Sequence, residues 1–169
     1  PGEWIREPAP QKEFGLSNGP VREALQNLVG AGVLTRVARR GVRVVELSDE
    51  EIVELFQMRL ALLELAAELA ASRARPQDLN QATALAAEID QAIRRQNLEA
   101  LILAGGALVD EVCRIADNRQ ITTAWEGLTL KSRVYIHASL SACSDLGSIG
   151  PLWRALPEAI KTGDRQAAR

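Results

Sequence analysis

A switch in hydrophobic period near residue 32 constrains the N-terminal part of this chain more than any other feature. Before the switch, the segment Ser17–Gly32 carries apolar residues at the three- and four-residue spacing of a helix, with Ser17 placed as its N-cap. After it, the segments Val33–Val37 and Val42–Leu47 are short and rich in β-branched residues, and the sequence ARRG separates them. These two segments predict a β-hairpin whose tip carries arginines.

From Ser48 onward the sequence predicts helices. SDEE supplies a cap and a first turn of acids. The first predicted helix runs from Ser48 to about Ala74. The next ones span about 76–95, 97–117 (with a weak point at Gly105–Gly106), 119–140 and 152–162, and a last one begins at 163. A loop is expected over 141–151, and no strand besides the hairpin is predicted. The predicted fold is mainly α: an N-terminal winged helix-turn-helix with a small β-hairpin wing over residues 1–47 (the head), followed by an all-α helical bundle over 48–169 (the bundle).

Composition narrows the classes of function. Of the 169 residues, 47% are hydrophobic and 25% charged, as in ordinary globular domains. The chain holds no apolar run near the roughly 20 residues that span a bilayer and no signal peptide at its start, so we expect a cytoplasmic protein with no membrane partner. Cys113 and Cys143 do not form a zinc motif, and a disulfide between them has little support in a reducing compartment.

Charge differs between the head and the bundle, although the net charge is only −2. Residues 1–46 hold seven Lys or Arg against five Asp or Glu, whereas the remainder holds 13 against 17. A modestly basic head on an acidic body is compatible with contact to DNA through the head alone.

The N-terminal end of the predicted helix 17–32 suits the major groove of DNA. It opens with small polar residues and carries Arg22 one turn in, where the helix dipole favours phosphate. A hairpin tip with Arg40 and Gly41 suits the neighbouring minor groove or the DNA backbone, and Arg43 lies on the same hairpin. Any single arginine is equally well interpreted as a solvated charge, but the ordered set of helix, hairpin and arginine tip favours DNA. The candidate DNA-contacting residues are Ser17, Asn18, Gly19, Arg22, Arg36, Arg39, Arg40 and Gly41.

The head resembles the DNA-binding domain of the GntR family of regulators, through PVREAL, a following hydrophobic helix, L-x-R and RRG-x-x-V. The bundle resembles the FadR-type effector domain (FCD), through LSDEEIVELFQMRLALLELAAELAA, IADNRQI and ALPEAIKTGDRQAA. The resemblance implies a FadR-subfamily transcription factor, usually a repressor, that binds a palindromic DNA operator as a homodimer and responds to a small-molecule effector. It also implies that the first helix of the head precedes Pro1 and that the last bundle helix extends past Arg169.

Two departures from the family pattern concern the head. Asn18-Gly19 replaces the usual Arg-Thr after the cap serine, and asparagine suits adenine where arginine suits guanine or phosphate. Pro8 and Pro10 fall where the second head helix begins, and we expect Pro10 to shorten or distort that helix.

A third departure concerns metal. Many members of the resembled subclass hold a divalent metal with one Asp and three His, and three of the aligned positions here are Gly105, Val109 and Trp153. None of these side chains coordinates a metal, and His137 is the single histidine of the chain, so we expect no metal cofactor. The glycines at 105 and 106 either open a pocket or allow close helix packing.

The candidate effector-binding residues are Arg59, Arg133, His137 and Trp153. Arg59 lies in an apolar stripe, where its partner is a ligand carboxylate or a bundle acid such as Glu64. Arg133 and His137 share a helix face and either line a pocket or lie at the surface. Trp153, like Trp125, either packs in the core or stacks on a ligand.

The sequence is compatible with two whole-protein functions and argues against a third. The leading one is a dimeric, ligand-responsive transcriptional regulator. The second is a bundle that serves only as an interaction or dimerisation module behind a weakened DNA-binding head, which the departures in the head favour. An enzyme is not expected, because the sequence carries no nucleophile–base pair, phosphate loop or paired-carboxylate motif.

Overall fold

The computed structural model describes residues 1–6 and 8–164. The head contains β1 (Trp4–Ile5), α1 (Pro8–Phe14), α2 (Asn18–Gly30), β2 (Leu34–Val37) and β3 (Gly41–Val44). The bundle contains α3 (Asp49–Arg73), α4 (Pro76–Arg94), α5 (Leu98–Ala116), α6 (Arg119–Ser141), a 3-10 helix (Leu146–Ile149) and α7 (Gly150–Thr162). A mainly helical chain with a winged helix-turn-helix at its N-terminus is therefore confirmed.

The wing is a three-stranded antiparallel sheet in the order β1-β3-β2, rather than a two-stranded hairpin. The sequence prediction missed β1, which pairs Trp4 with Arg43 and Ile5 with Val42. Two residues are too few to show an alternating pattern, so β1 depends on the edge that β3 offers.

Helix α3 begins where the sequence predicts, because Ser48 and Glu51 form a reciprocal capping box. The Ser48 hydroxyl accepts a hydrogen bond from the Glu51 amide at 3.2 Å, and the Glu51 carboxylate accepts one from the Ser48 amide at 2.8 Å. Two backbone donors of the first turn thus have partners, which favours one starting point for this 25-residue helix.

Two elements differ from prediction, and a third, α1, is as short as the position of Pro10 leads us to expect. Helix α5 continues through Gly105–Gly106 without a break, because most of the helix face around them is buried in the bundle. The expected loop 141–151 instead contains the 3-10 helix, whose start is capped by Asp145 through a 2.8 Å bond from the Gly147 amide. Helix α1 forms despite Pro10 but is only seven residues long. The helix predicted to begin at 163 lies mostly outside the described residues.

The head and the bundle have separate cores. Val21, Leu25, Leu34 and Val42 fill the head. One bundle core joins α3, α5, α6 and α7 around residues such as Ala66 and Val112, and a second joins α4 and α5. In the described ranges, no helix combines the length and apolar character needed to cross a membrane.

A buried carboxylate ties the start of α4 to α5. Asp78 is 4% exposed and accepts hydrogen bonds from the Arg75 Nε at 3.0 Å and the Arg114 Nη2 at 2.6 Å. Hydrogen bonds from Arg75 and Arg114 hold the pKa of Asp78 well below its ordinary value. The ionised form is therefore stabilised in the folded state.

This network predicts a specific acid sensitivity. Because the folded-state pKa of Asp78 is depressed, its contribution to stability is present above the unfolded carboxyl pKa of about 3.9 and is lost as the pH falls below it. We expect Asp78→Asn to lower the melting temperature at pH 7 and to flatten its decline between about pH 5 and pH 2. Thermal melts across this pH range test the prediction, with Glu88→Gln, an exposed acid on the same helix, as the control. Parallel acid profiles for Asp78→Asn and wild type would contradict it.

Candidate nucleic-acid interface

Helix α2 presents its N-terminal end to solvent. Val21 and Leu25 turn one face of the helix into the head core, at 3% and 5% exposure. The opposite face and the first turn carry four of the candidate DNA-contacting residues, all of them exposed: Ser17, Asn18, Gly19 and Arg22. Gly15, at φ 64°, supplies the left-handed turn between α1 and α2.

Ser17 and Asn18 differ in how firmly they are held. Ser17 occupies the N-cap position with extended backbone, but its hydroxyl makes no capping bond. The Asn18 side-chain oxygen accepts a hydrogen bond from the Gln11 side-chain amide of α1. The preceding helix thus orients the Asn18 amide, whose N–H groups remain the donors for any base edge.

The wing tip projects two arginines on a tight turn. Val37 and Gly41 are paired across the hairpin, and the Arg40 amide donates to the Val37 carbonyl at 3.1 Å. Arg39 has a left-handed backbone at φ 63°, which a non-glycine residue rarely adopts. Arg39 and Arg40 are both exposed, as is Arg36 on β2, so the wing concentrates positive charge at one end of the head.

Arg43 has a structural role instead. Its Nε donates to the Gly2 carbonyl at 2.8 Å, and its Nη2 pairs with Glu46 at 2.5 Å. These contacts fasten the segment before β1 to the base of the wing.

In the bundle, Arg59 is half-buried between α3 and α6. Its Nη1 donates to the Thr129 hydroxyl at 3.0 Å, and its Cζ lies 4.0 Å from the centroid of the Trp125 ring. Burial lowers the pKa of Arg59, and the Asp110 carboxylate opposes that shift. Burial likewise raises the pKa of the neighbouring Cys113 thiol to about 11. The guanidinium therefore lies in a partly buried environment.

These contacts bear on whether Arg59 pairs with a ligand carboxylate or with a bundle acid such as Glu64. Its hydrogen-bond partner in the described part of the chain is Thr129, rather than Glu64. A guanidinium has five N–H donors, and one of them meets Thr129. Neither the Thr129 contact nor the stacking of Arg59 on Trp125 was predicted from the sequence. The available signal was that 125 and 129 are four residues apart and so share a face of α6.

The other candidate effector residues lie in different surroundings. Arg133 and His137 are exposed on α6, and His137 Nε2 lies 3.2 Å from a Glu99 carboxylate oxygen. Trp153 is half-buried and packs against both bundle cores. The four candidates therefore do not converge on one cavity.

The residues at the expected metal position do not fit a metal. A Cβ atom built on Gly105 would lie 3.1 Å from Cη2 of Trp153, so the indole ring occupies the space beside the helix. Val109 is 5% exposed and offers no donor atom. Over residues 1–6 and 8–164, no group of three or more His, Cys, Asp or Glu is placed to hold a metal ion.

Two known protein families match this chain, one over the head and one over most of the bundle. The profile of the bacterial regulatory proteins of the gntR family matches residues 1–44, and that of the FCD domain matches residues 54–169. The probable D-xylose utilization operon transcriptional repressor of Paenarthrobacter nicotinovorans is 27% identical over 99% of this chain and 73% of its own length.

Two other curated relatives match less than half of the chain. The HTH-type transcriptional regulator YdhC of Bacillus subtilis is 35% identical over 47% of this chain, and the repressor GlaR of Escherichia coli is 33% identical over 43%. These matches span only 35% and 33% of the relatives' own lengths.

Solved structures reproduce the fold. McbR/YncC from Escherichia coli superposes with a TM-score of 0.90 at 22% identity, covering 99% of this chain and 80% of that one. A GntR regulator from Rhodococcus sp. RHA1 gives a TM-score of 0.80 at 20% identity, with the same coverage. At these identities the likeness establishes the fold alone.

Proposed function

The chain belongs to the GntR family of bacterial transcriptional regulators that carry an FCD domain, a family of regulators and not of enzymes, and on this premise we propose that it represses transcription by binding a palindromic operator as a homodimer. A small molecule bound in the bundle releases the operator. Such a repressor works in the cytoplasm, where its DNA lies.

The observation that carries the DNA-binding proposal is the exposed positive charge at both contact points of the head. The first turn of α2 offers backbone N–H groups, Ser17, Asn18 and Arg22 to the major groove. The wing offers Arg39 and Arg40 to the adjacent backbone or minor groove. Both elements are anchored on the same small core, so they meet DNA as one unit.

An apolar face of the bundle supports the homodimer. Val53, Phe56 and Leu60 recur at helical spacing on α3 and are 55%, 36% and 56% exposed. A second copy would cover this face. Two heads related by a twofold axis then match two half-sites of opposite orientation.

The effector proposed for the bundle is a small carboxylate held by Arg59. The guanidinium is half-buried and stacked on Trp125, so an added carboxylate would form a charge-assisted hydrogen bond with it. A ligand releases DNA only if it binds one arrangement of the two heads better than the other. No metal takes part, because Gly105, Val109 and Trp153 supply no ligand atoms.

A salt-controlled gel shift tests the central proposal. The DNA is the promoter of the protein's own operon, and a random fragment of equal length is the control. We expect tighter binding to the promoter by at least about 10³-fold. Equal binding to both fragments would overturn the proposal and favour the bundle as an interaction module behind an inactive head.

The role of Arg59 is tested separately with a panel of small carboxylic acids. In wild type, an active acid should weaken promoter binding. Arg59→Met keeps the volume of the stem but removes the charge, so we expect roughly 10- to 100-fold more acid to be needed for release. The release concentration is therefore compared with each variant's own promoter affinity measured without acid. Arg133→Gln is the matched control on the exposed face of α6, and an equal loss of response in that variant would contradict the assignment.

A further inference from the structure

A tyrosine of the bundle holds the segment that joins the head to the bundle. Tyr135 of α6 accepts a hydrogen bond from the Leu47 amide at 2.7 Å and donates one to the Val45 carbonyl at 3.3 Å. These residues lie between the end of β3 and the cap of α3, where the chain passes from head to bundle. One hydroxyl group therefore satisfies a donor and an acceptor of the connecting backbone.

The same contact continues into helix α2. The Val45 amide donates to the Val33 carbonyl at 2.9 Å, and the Val33 amide donates to the Leu28 carbonyl at 3.0 Å. Helix α2 is the element proposed to enter the major groove. Three consecutive hydrogen bonds thus lead from Tyr135 through Val45 and Val33 to the C-terminal turn of α2.

A second side chain of α6 touches the same turn. Gly32 follows α2 with a left-handed backbone at φ 70°, and a Cβ atom built on it would lie 3.1 Å from Cε of Lys131. Lys131 and Tyr135 are four residues apart and so share one face of α6. Both also line the small crevice between head and bundle, together with Val44 and Leu47.

Helix α6 also carries the partners of Arg59. Thr129 lies six residues before Tyr135, which is about 9 Å along the helix axis. A ligand that draws Arg59 away from Thr129 or Trp125 removes contacts that position α6 against α3. A shift or rotation of α6 then moves the Tyr135 hydroxyl relative to the connecting segment.

We propose that Tyr135 is a positioning residue for DNA binding: its hydroxyl fixes the orientation of the head on the bundle and passes movements of α6 to α2. In the homodimer this orientation sets the distance between the two α2 helices. The half-site spacing that the protein accepts depends on that distance. The inference rests on the proposed function, because it requires a dimer that binds two half-sites.

The first test needs no DNA. Hydrogen–deuterium exchange of the full chain follows the Leu47 amide in wild type, in Tyr135→Phe and in Ser139→Ala, an exposed control on α6. Removing the hydroxyl while keeping the ring should speed exchange at Leu47 by roughly three- to tenfold, the value of one hydrogen bond. Exchange in Ser139→Ala should match wild type. An unchanged rate in Tyr135→Phe would overturn the contact, and thermal melts show whether that variant is folded.

The second test uses promoter DNA in which the two half-sites are moved apart or together in steps of one base pair. Wild type should bind one spacing best, whereas Tyr135→Phe should bind several spacings with affinities within about threefold of each other. A variant that is merely less stable would lose affinity equally at every spacing. Retained preference for one spacing in Tyr135→Phe would refute the positioning role. Failure of wild type to prefer the promoter over random DNA would instead refute the proposed function.

Discussion

Replacing Arg39 and Arg40 together with alanine is expected to weaken promoter binding about 30-fold at roughly 0.15 M salt, because two phosphate contacts and the counterions that they release are lost. Both side chains are exposed at the end of the wing. The slope of log K against log salt should become shallower by about two. A titration at four salt concentrations measures the affinity and the slope in one experiment.

A matched pair of arginines separates a local contact from a general effect of charge. Arg94 and Arg95 are also adjacent and exposed, but they lie at the end of α4 in the bundle. Their double alanine variant has the same net charge as the wing variant and should retain most of the wild-type affinity. Equal losses in both variants would show that overall charge, rather than the wing, governs binding.

The wing's backbone adds a further distinction. Arg39 has a positive φ, a conformation that costs an alanine about as much as an arginine and costs a glycine nothing. Alanine therefore tests the charge with the turn equally strained. Arg39→Gly removes the charge and the strain together. Arg39→Gly should weaken DNA binding as much as Arg39→Ala does. It should melt at a slightly higher temperature than Arg39→Ala.

Local signals in the sequence were sufficient for the long elements. Helix α3 has its cap, its acids and its apolar period within one segment, so its start needs no tertiary information. Helix α2 and the hairpin of β2 and β3 are predicted for the same reason. In contrast, β1 consists of two residues that are extended because they pair with β3, and no local sequence pattern predicts it.

The candidate site in the bundle was harder to predict because its contacts join distant parts of the chain. Arg59 and Thr129 are 70 residues apart, and Tyr135 and Leu47 are 88 apart. Sequence periodicity identifies Arg59 as an arginine in an apolar stripe, but not which face of α6 meets it. The DNA-contacting candidates depend less on such contacts, since they follow from the order of helix and wing.

The packing of Trp153 on Gly105 leads to the largest expected effect on stability. Gly105→Asp places a Cβ about 3.1 Å from the indole and a carboxylate in a buried part of α5. Crowding costs about 1–3 kcal/mol and an unpaired polar group adds about 1–3 kcal/mol. We expect a loss of roughly 2–6 kcal/mol, or on the order of 10 °C in melting temperature for a domain of this size.

Gly106 provides the matched control, because it is the next residue of the same helix and faces open space. A Cβ at Gly106 meets no other side chain within 4 Å. Gly106→Asp should therefore change stability by no more than about 0.5 kcal/mol.

The Gly105→Asp variant also tests the absence of a metal centre. If Trp153 fills the position that a metal would take, zinc cannot restore the stability of Gly105→Asp, although that variant carries an acidic side chain there. A melting temperature that zinc returns to the wild-type value would contradict the packing role of Trp153.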